Sequence, residues 1–135
     1  MDSTNPIIRE REAQRIRRQG RIFSAVCILV IASILTFGCV YHYRHTFTTA
    51  RWIAAPDART ALVDDLLARY PLNSKTEGEI LALLGEHDND TGYFLQDNRY
   101  VYHLGPERGL ISIDSEWLIL DFTDGVVTDC FITTD

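Results

Sequence analysis

Three side chains that can exchange protons lie near one another in the second half of the chain: His103, Asp114 and Glu116. Asp114 and Glu116 are two residues apart, so on an extended strand both carboxylates point to the same side. Paired carboxylates can serve as general acid and general base when burial separates their pKa values. The same spacing is equally typical of carboxylates that end a turn and keep an edge strand soluble.

The surrounding sequence adds little to such a site. It offers no obvious nucleophile or oxyanion donor near the two carboxylates, and no glycine-rich phosphate cradle. His87 lies beside Asp88 and Asp90, but no second histidine follows at metal-ligand spacing. We therefore expect no catalytic residues, no metal site and no cofactor.

Charge and cysteine content exclude two further classes of protein. Residues 44–135 hold seven Lys or Arg against sixteen Asp or Glu, a formal charge of −9, whereas residues 1–21 carry +3. Binding to nucleic acid needs a phosphate-neutralising basic patch, which the acidic part lacks. Cys27 and Cys39 lie in an apolar run, which leaves Cys130 without a partner for a disulfide in its own domain.

An uncharged run of twenty residues, Ile22 to Tyr41, separates the basic and acidic parts. As a helix it would be about 30 Å long, the thickness of the hydrocarbon core of a bilayer. It is apolar all round, and a chain of this size has no interior large enough to bury it. We predict a transmembrane helix over residues 22–43, with Tyr41 and Tyr43 at the headgroups.

The apolar run is also compatible with two kinds of cleaved leader. A signal peptide usually has a shorter apolar stretch and a small-x-small cleavage site, whereas residues 38–41 form a poor one. A lipoprotein signal would attach lipid to Cys39, but Phe37 is bulky where such a signal has a small residue.

The flanking charges predict the orientation of the helix. All six arginines of residues 1–21 precede it, and basic flanks stay in the cytoplasm. Residues 22–43 would then contact lipid in the cytoplasmic (inner) membrane. The part from residue 44 onward would be periplasmic or extracellular.

Residues 44–56 are predicted to be a connector, followed by a first helix in the acidic part. Asp57 is a candidate N-cap, and Pro71 would end the helix after Tyr70. A second helix has capping-box spacing in two registers, Thr76 with Glu79 or Ser74 with Glu77. Gly85 is suited to the position beyond its C-terminus.

Three strands are predicted after the helices, because apolar and β-branched residues alternate between turn signals. An Asp-Gly pair between two apolar runs is a strong hairpin signal. The order predicts an α+β fold, an ααβββ domain with two helices on one face of a three-stranded antiparallel sheet. The predicted strands are Arg99–Leu104, Glu116–Phe122 and Val126–Thr133, with the turn at Asp124-Gly125.

Both faces of this sheet are predicted to carry apolar side chains. In the second strand Leu118, Leu120 and Phe122 share one face, and Trp117 and Ile119 the other. One face must meet the helices, so the other is either an open contact surface or covered by residues 44–56 or 86–98. In the third strand the same alternation places Val126, Cys130 and Ile132 on one face of the sheet, and Val127 and Phe131 on the other.

The segment Leu72-Asn-Ser-Lys-Thr-Glu-Gly-Glu-Ile-Leu-Ala-Leu-Leu-Gly85 resembles the Lys-Thr-x-x-Glu-Val-x-x-x-Leu-Gly motif of the SmpA/OmlA domain. This domain occurs in the BamE outer-membrane assembly lipoproteins. The resemblance covers residues 57–135 and extends to the tyrosine-rich strand and the Asp124-Gly125 hairpin. It implies the ααβββ fold and a non-enzymatic role in stabilising partner proteins of the cell envelope.

We therefore expect a membrane-anchored extracytoplasmic domain that binds an envelope protein and serves in its assembly or stabilisation. The alternative is a small envelope enzyme or ligand-binding domain that uses Asp114, Glu116 and His103. Docking to a membrane complex through the span itself is a third option. The expected partner-binding residues lie on the sheet and on the turn 105–109: Tyr102, Gly105, Pro106, Arg108, Trp117, Ile119 and Phe131.

Overall fold

The chain divides into two compact units, Met1–Tyr43 and Arg44–Asp135, which are described separately. Asp90 and part of the loop predicted after Gly85 lie outside the described residues. The computed structural model describes residues 6–88, 94, 96–109 and 111–135, with side chains from residue 9 onward.

The first unit is built on one long helix, α1 (Pro6–His45). Within the described part of the chain it is the one helix long and apolar enough to cross a membrane, judged by length and composition. None of its apolar window is buried inside the molecule. The predicted long apolar helix is confirmed, and the helix also includes the basic segment from Pro6 onward.

The second unit contains more helices than the two predicted. They are short: α2 (Thr49–Ala54), a 3₁₀ helix (Pro56–Ala61), α3 (Val63–Arg69) and α4 (Glu77–Leu84). The single helix predicted up to Tyr70 is wrong, because the chain changes from 3₁₀ to α geometry at Leu62.

Residues 44–56 are not a simple connector. The Thr48 side chain caps α2 by accepting the N–H of Arg51 at 3.3 Å. Trp52 on this helix is fully buried, and the nearby Phe47 is buried as well. A helix of six residues is unstable alone in water, so packing of these aromatic rings must hold α2 in place.

α4 begins as one of the two predicted registers requires. The Thr76 side chain accepts the N–H of Glu79, and the Glu79 carboxylate accepts the N–H of Thr76 at 2.9 Å. This hydrogen bond from the Thr76 backbone is the main reason why the pKa of Glu79 lies below its ordinary value. Gly85 follows the helix with a φ of +75°, so the predicted end is also confirmed.

The three strands β1 (Arg99–Pro106), β2 (Ser115–Thr123) and β3 (Val126–Thr134) form one antiparallel sheet in the order β1-β2-β3. The turn between β2 and β3 has positive φ at Asp124 and Gly125, as the twist of a tight hairpin requires. The α+β class, the antiparallel sheet and this hairpin are confirmed.

One face of the sheet packs against the helices and forms the main core. Val127 belongs to this face, which corrects its predicted orientation. A bulge shifts the register so that Asp121 pairs with Asp129 but Phe122 pairs with Val127, and this extra residue returns Val127 to the core side. The main buried residues are Trp52, Val63, Leu66, Ile80, Leu84, Tyr102, Leu104, Leu118, Leu120, Phe122 and Val127.

The opposite face of the sheet is covered at its centre. Val101, Trp117 and Ile119 form a second buried cluster, and the ring of Phe94 packs on Trp117 with 5.9 Å between centroids. Phe131 on β3 is 38% exposed. Of the two predicted possibilities, a wide open apolar face is therefore wrong, and a residue of the segment 86–98 contributes to the cover.

Gly105 is essential to the path of β1, and we expect Gly105→Ala to lower the free energy of unfolding by about 3 kcal/mol. Its φ is +121°, and an added Cβ would overlap the backbone carbonyl oxygen of Asp57. Urea unfolding of the full chain in non-ionic detergent, followed by tryptophan fluorescence, measures the loss. Gly78→Ala is the control, because nothing lies within 4 Å of a Cβ there. Equal stability of the two variants would contradict this role of Gly105.

Candidate functional site

A buried arginine links the helices to β1. Arg59 is 3% exposed, and its Nε donates to the carbonyl oxygen of Trp52 at 3.0 Å. Its Nη1 donates to the carbonyl oxygen of His103 at 3.0 Å and to Asp88 Oδ2 at 2.7 Å. The guanidinium also lies 5.0 Å from the centre of the Trp52 ring. Burial of this charge is tolerated because the guanidinium faces carbonyls, a carboxylate and an aromatic ring.

The same network holds the backbone of His103. Asp88 Oδ2 accepts the N–H of His103 at 2.9 Å, while Arg59 holds the carbonyl of that residue. The imidazole contacts Trp117 edge to face, with 4.8 Å between centroids. His103 Nδ1 lies 3.5 Å from Asp57 Oδ1, a distance at which a protonated imidazole and a carboxylate attract.

His103 lines an open cleft of about 420 Å³, which we call the acidic cleft. Two carboxylates line it, and Asp135 lies beside it, because its Oδ1 accepts the N–H of Ser115 at 2.8 Å. This hydrogen bond is the main reason why the pKa of Asp135 is lowered, so its charge persists to lower pH. The acidic cleft is lined by Asp57, His103, Pro106, Ser112, Ile113, Asp114 and Ser115.

Glu116 does not line the acidic cleft. It is buried, and its carboxylate accepts the backbone N–H of Arg108 at 2.9 Å and the Arg108 Nε at 3.0 Å. Arg108 Nη1 also donates to both carboxylate oxygens of Asp64 at 2.8 Å. The hydrogen bond to Glu116 is the main cause of the raised pKa of Arg108. The two predicted acid–base partners, Asp114 and Glu116, are thus separated, which leaves His103 and Asp114 at the cleft.

The expected partner-binding residues do not form one surface. Tyr102 lies in the core and donates its hydroxyl to the carbonyl of Gly85 at 3.0 Å, and burial raises the pKa of Tyr102. Pro106 and Arg108 are exposed, and Phe131 is partly so. Tyr102, Gly105, Trp117 and Ile119 are buried, which corrects the expectation that a partner reaches them.

Among the described residues of the second unit, the most exposed large apolar side chains are two isoleucines that the sequence patterns did not single out. Ile111 is 76% exposed and Ile113 is 82% exposed. Ile113 lines the acidic cleft, and the loop is closed by the Glu107 N–H, which donates to the carbonyl of Asp114 at 2.9 Å. Two isoleucines between the predicted turn 105–109 and the predicted strand Glu116–Phe122, where polar residues are usual, were the available signal.

Comparison of the chain with protein-family models, with curated proteins and with solved structures finds no match. The resemblance to the SmpA/OmlA domain therefore stays a prediction. Among the described residues, no group of three or more His, Cys, Asp or Glu side chains is placed to hold a metal ion.

Proposed function

We propose that this protein is a membrane-anchored domain that binds a partner protein outside the cytoplasm. The observation that carries the proposal is the exposure of Ile111 and Ile113 on a closed loop. Exposed apolar groups clustered beside polar ones are typical of contact surfaces. The expected partners are proteins of the cell envelope, where such a domain would assist assembly or stability.

The loop that carries the isoleucines is held from both ends. The Arg108 side chain ties the turn after β1 to Glu116 on β2 and to Asp64 on α3. A loop whose ends are already held loses less conformational entropy on binding than a free segment does, which favours affinity. The carboxylates of the neighbouring acidic cleft would select a partner that presents basic groups around an apolar centre.

The proposed membrane anchor supports the proposal because it would raise the local concentration of the acidic unit near its partners. A helix as long and apolar as α1 would confine the acidic unit to a layer near the membrane. Confinement raises the effective concentration of the domain for partners in the same layer, and so strengthens weak contacts without new interactions.

Photo-crosslinking from the loop tests the proposal. A photoreactive amino acid at Ile113 of the tagged full chain, in its native membrane, is expected to yield a discrete adduct with a partner. The same amino acid at Ala82, an exposed position on α4, is the control. Digestion of a C-terminal tag in intact spheroplasts checks that the acidic unit lies outside the cytoplasm. An absence of adducts, or identical adducts from both positions, would contradict the proposed surface.

Substitution of the two isoleucines by serine is expected to abolish a crosslink placed at Ser112 between them. It is expected to change the free energy of unfolding by less than about 0.5 kcal/mol, because both side chains are in solvent. The ratio of adduct to free chain and a urea unfolding curve measure the two effects. Adduct formation at the normal level in the double variant would show that the isoleucines do not bind the partner.

A further inference from the structure

The outer edge of β3 is paired along only part of its length. Ser74 donates its N–H to the carbonyl of Val127 at 2.9 Å, and Val127 donates to the carbonyl of Lys75 at 2.8 Å. Thr76 forms an isolated bridge with Val126. After Val127 no further backbone pairing to this edge occurs among the described residues.

The geometry of the sheet shows which backbone groups point outward from this edge. The Phe122 N–H donates to the carbonyl of Asn98, on the β1 side, so the pair of Phe122 and Val127 is not hydrogen-bonded. Because pairs alternate in an antiparallel ladder, Cys130, Ile132 and Thr134 also direct their backbone groups away from β2.

Most of these outward groups are unpaired in the part of the chain that the structure describes. The N–H of Cys130 is accepted by the Asp129 carboxylate at 2.9 Å. The N–H and C=O of Ile132 and the N–H of Thr134 have no partner among the described residues. An unpaired run of this kind is a template for another strand.

An open groove lies beside this edge, on the core side of the sheet. Its volume is about 280 Å³, and it is lined by Leu67, Tyr70, Pro71, Leu72, Asn73 and Cys130. Burial raises the pKa of the Cys130 thiol to about 11, so the thiol adds no charge to the groove at neutral pH. A residue paired with Cys130 on an added strand would place its side chain on the same side as Cys130, at the groove.

We propose that β3 binds an extended segment of a partner protein by strand addition, with an apolar side chain in the groove beside Cys130 and Lys or Arg side chains on the opposite face. The inference rests on the proposed function, since it assumes that the domain binds a protein, but it uses a different surface from the isoleucine loop. Main-chain hydrogen bonds would supply affinity, and the groove and the charges would supply specificity.

The charges along β3 favour a partner strand that carries basic residues. Side chains alternate along β3, and Cys130 and Ile132 lie on the groove side. The opposite face therefore carries Asp129, Phe131 and Asp135, so two carboxylates flank the phenylalanine there. β3 itself contains no Lys or Arg. Basic residues at every second position of the added strand would lie along these carboxylates, beside the Phe131 ring that the Arg99 guanidinium already faces at 5.9 Å.

The same charges oppose a second copy of this chain as the occupant. Each acidic unit carries a formal charge of −9, and two such units repel one another. Antiparallel pairing of two β3 strands about Ile132 would also place Asp129 opposite Asp135 of the second copy. Like charges directly opposite destabilise a strand pair.

The test uses the full chain in phosphatidylcholine nanodiscs and, as the probe, the fluorescent heptapeptide Lys-Thr-Lys-Thr-Lys-Leu-Lys. When this peptide runs antiparallel to β3 with its leucine opposite Cys130, its second residue lies opposite Thr134. Saturable binding, measured by anisotropy, is expected to slow amide exchange at Ile132 and Thr134. A peptide N-methylated at its leucine, and a peptide with Glu for Lys, are each expected to bind at least tenfold more weakly. No binding of the probe, or equal binding of either control peptide, would overturn the proposal.

Substitution at the exposed end of β3 separates backbone pairing from side-chain effects. Thr134→Pro removes an outward N–H and leaves the ladder to β2 intact, so we expect at least a tenfold loss of probe binding. Thr134→Ala keeps the N–H and should bind as the unchanged chain does. Equal binding by the Pro and Ala variants would overturn strand addition. Self-association that Thr134→Pro abolishes, seen by light scattering, would overturn the basic partner in favour of a second copy.

Failure of this proposal and of the proposed function are distinguishable. A chain with Ile111→Ser and Ile113→Ser is expected to bind the heptapeptide normally. If crosslinking from Ile113 fails while the probe binds and its controls behave as expected, the contact surface at Ile111 and Ile113 is wrong and strand addition is supported. If crosslinking succeeds while the heptapeptide does not bind, strand addition is wrong and the proposed function is supported.

Discussion

Replacing Trp52 with alanine is expected to lower the free energy of unfolding by about 3–5 kcal/mol, the usual cost of removing a buried tryptophan. The side chain is fully buried. Its ring lies 5.8 Å from that of Phe47 and 6.2 Å from that of Tyr102, with the Arg59 guanidinium over its face. The substitution would therefore leave a cavity where α2 meets the sheet, and α2 has no other fully buried anchor.

Urea unfolding of the full chain in non-ionic detergent measures this effect. The chain has two tryptophans, so in the alanine variant the fluorescence of Trp117 alone reports the transition. Ile53→Ala is the control on the same helix, since Ile53 is mostly exposed, and we expect it to cost less than about 1 kcal/mol. A Trp52→Ala variant as stable as this control would show that α2 is a loose connector after all.

Replacing Arg59 with methionine is expected to cost about 3 kcal/mol. The change removes the buried donor of two main-chain carbonyls, those of Trp52 and His103, and each buried acceptor without a partner costs about 1–3 kcal/mol. Asp88 would lose its ion pair with Arg59 but keep the His103 N–H, and its side chain is 34% exposed, so water would replace part of the lost interaction.

The same unfolding measurement checks this prediction, and Lys75→Met is its matched control. Lys75 is partly exposed, so its loss should change stability by less than about 0.5 kcal/mol. Because Arg59 also holds the backbone of His103, the amide resonances around the acidic cleft should shift in the Arg59 variant and not in the control. Unchanged stability and unchanged resonances would show that the buried network does not organise the cleft.

Short-range patterns in the chain were sufficient to predict several elements. The run of uncharged residues from Ile22 predicted the long apolar helix, and the Thr76 and Glu79 pair predicted the start of α4. The turn at Asp124 and Gly125 predicted the hairpin. The cap and the turn depend on residues a few positions apart, and the apolar helix depends on one unbroken run, so in each case the signal is visible in contiguous sequence.

The composition of the candidate sites depended on residues far apart in the chain. Arg59 meets His103, and Arg108 meets both Asp64 and Glu116, at separations that no local pattern records. These contacts removed Glu116 from the acidic cleft, and packing across the sheet buried Trp117 and Ile119, against expectation. A bulge then turned Val127 to the core, since one extra residue reverses an alternation that sequence alone treats as regular.

Local order in this protein is thus encoded by contiguous sequence, because helix caps and tight turns act over a few residues and the apolar run is unbroken along the chain. Which polar groups are exposed, and which strand edge stays unpaired, follow instead from how distant segments pack. That outcome depends on volume, on desolvation and on the partners that a buried charge finds, and all three arise when the segments meet.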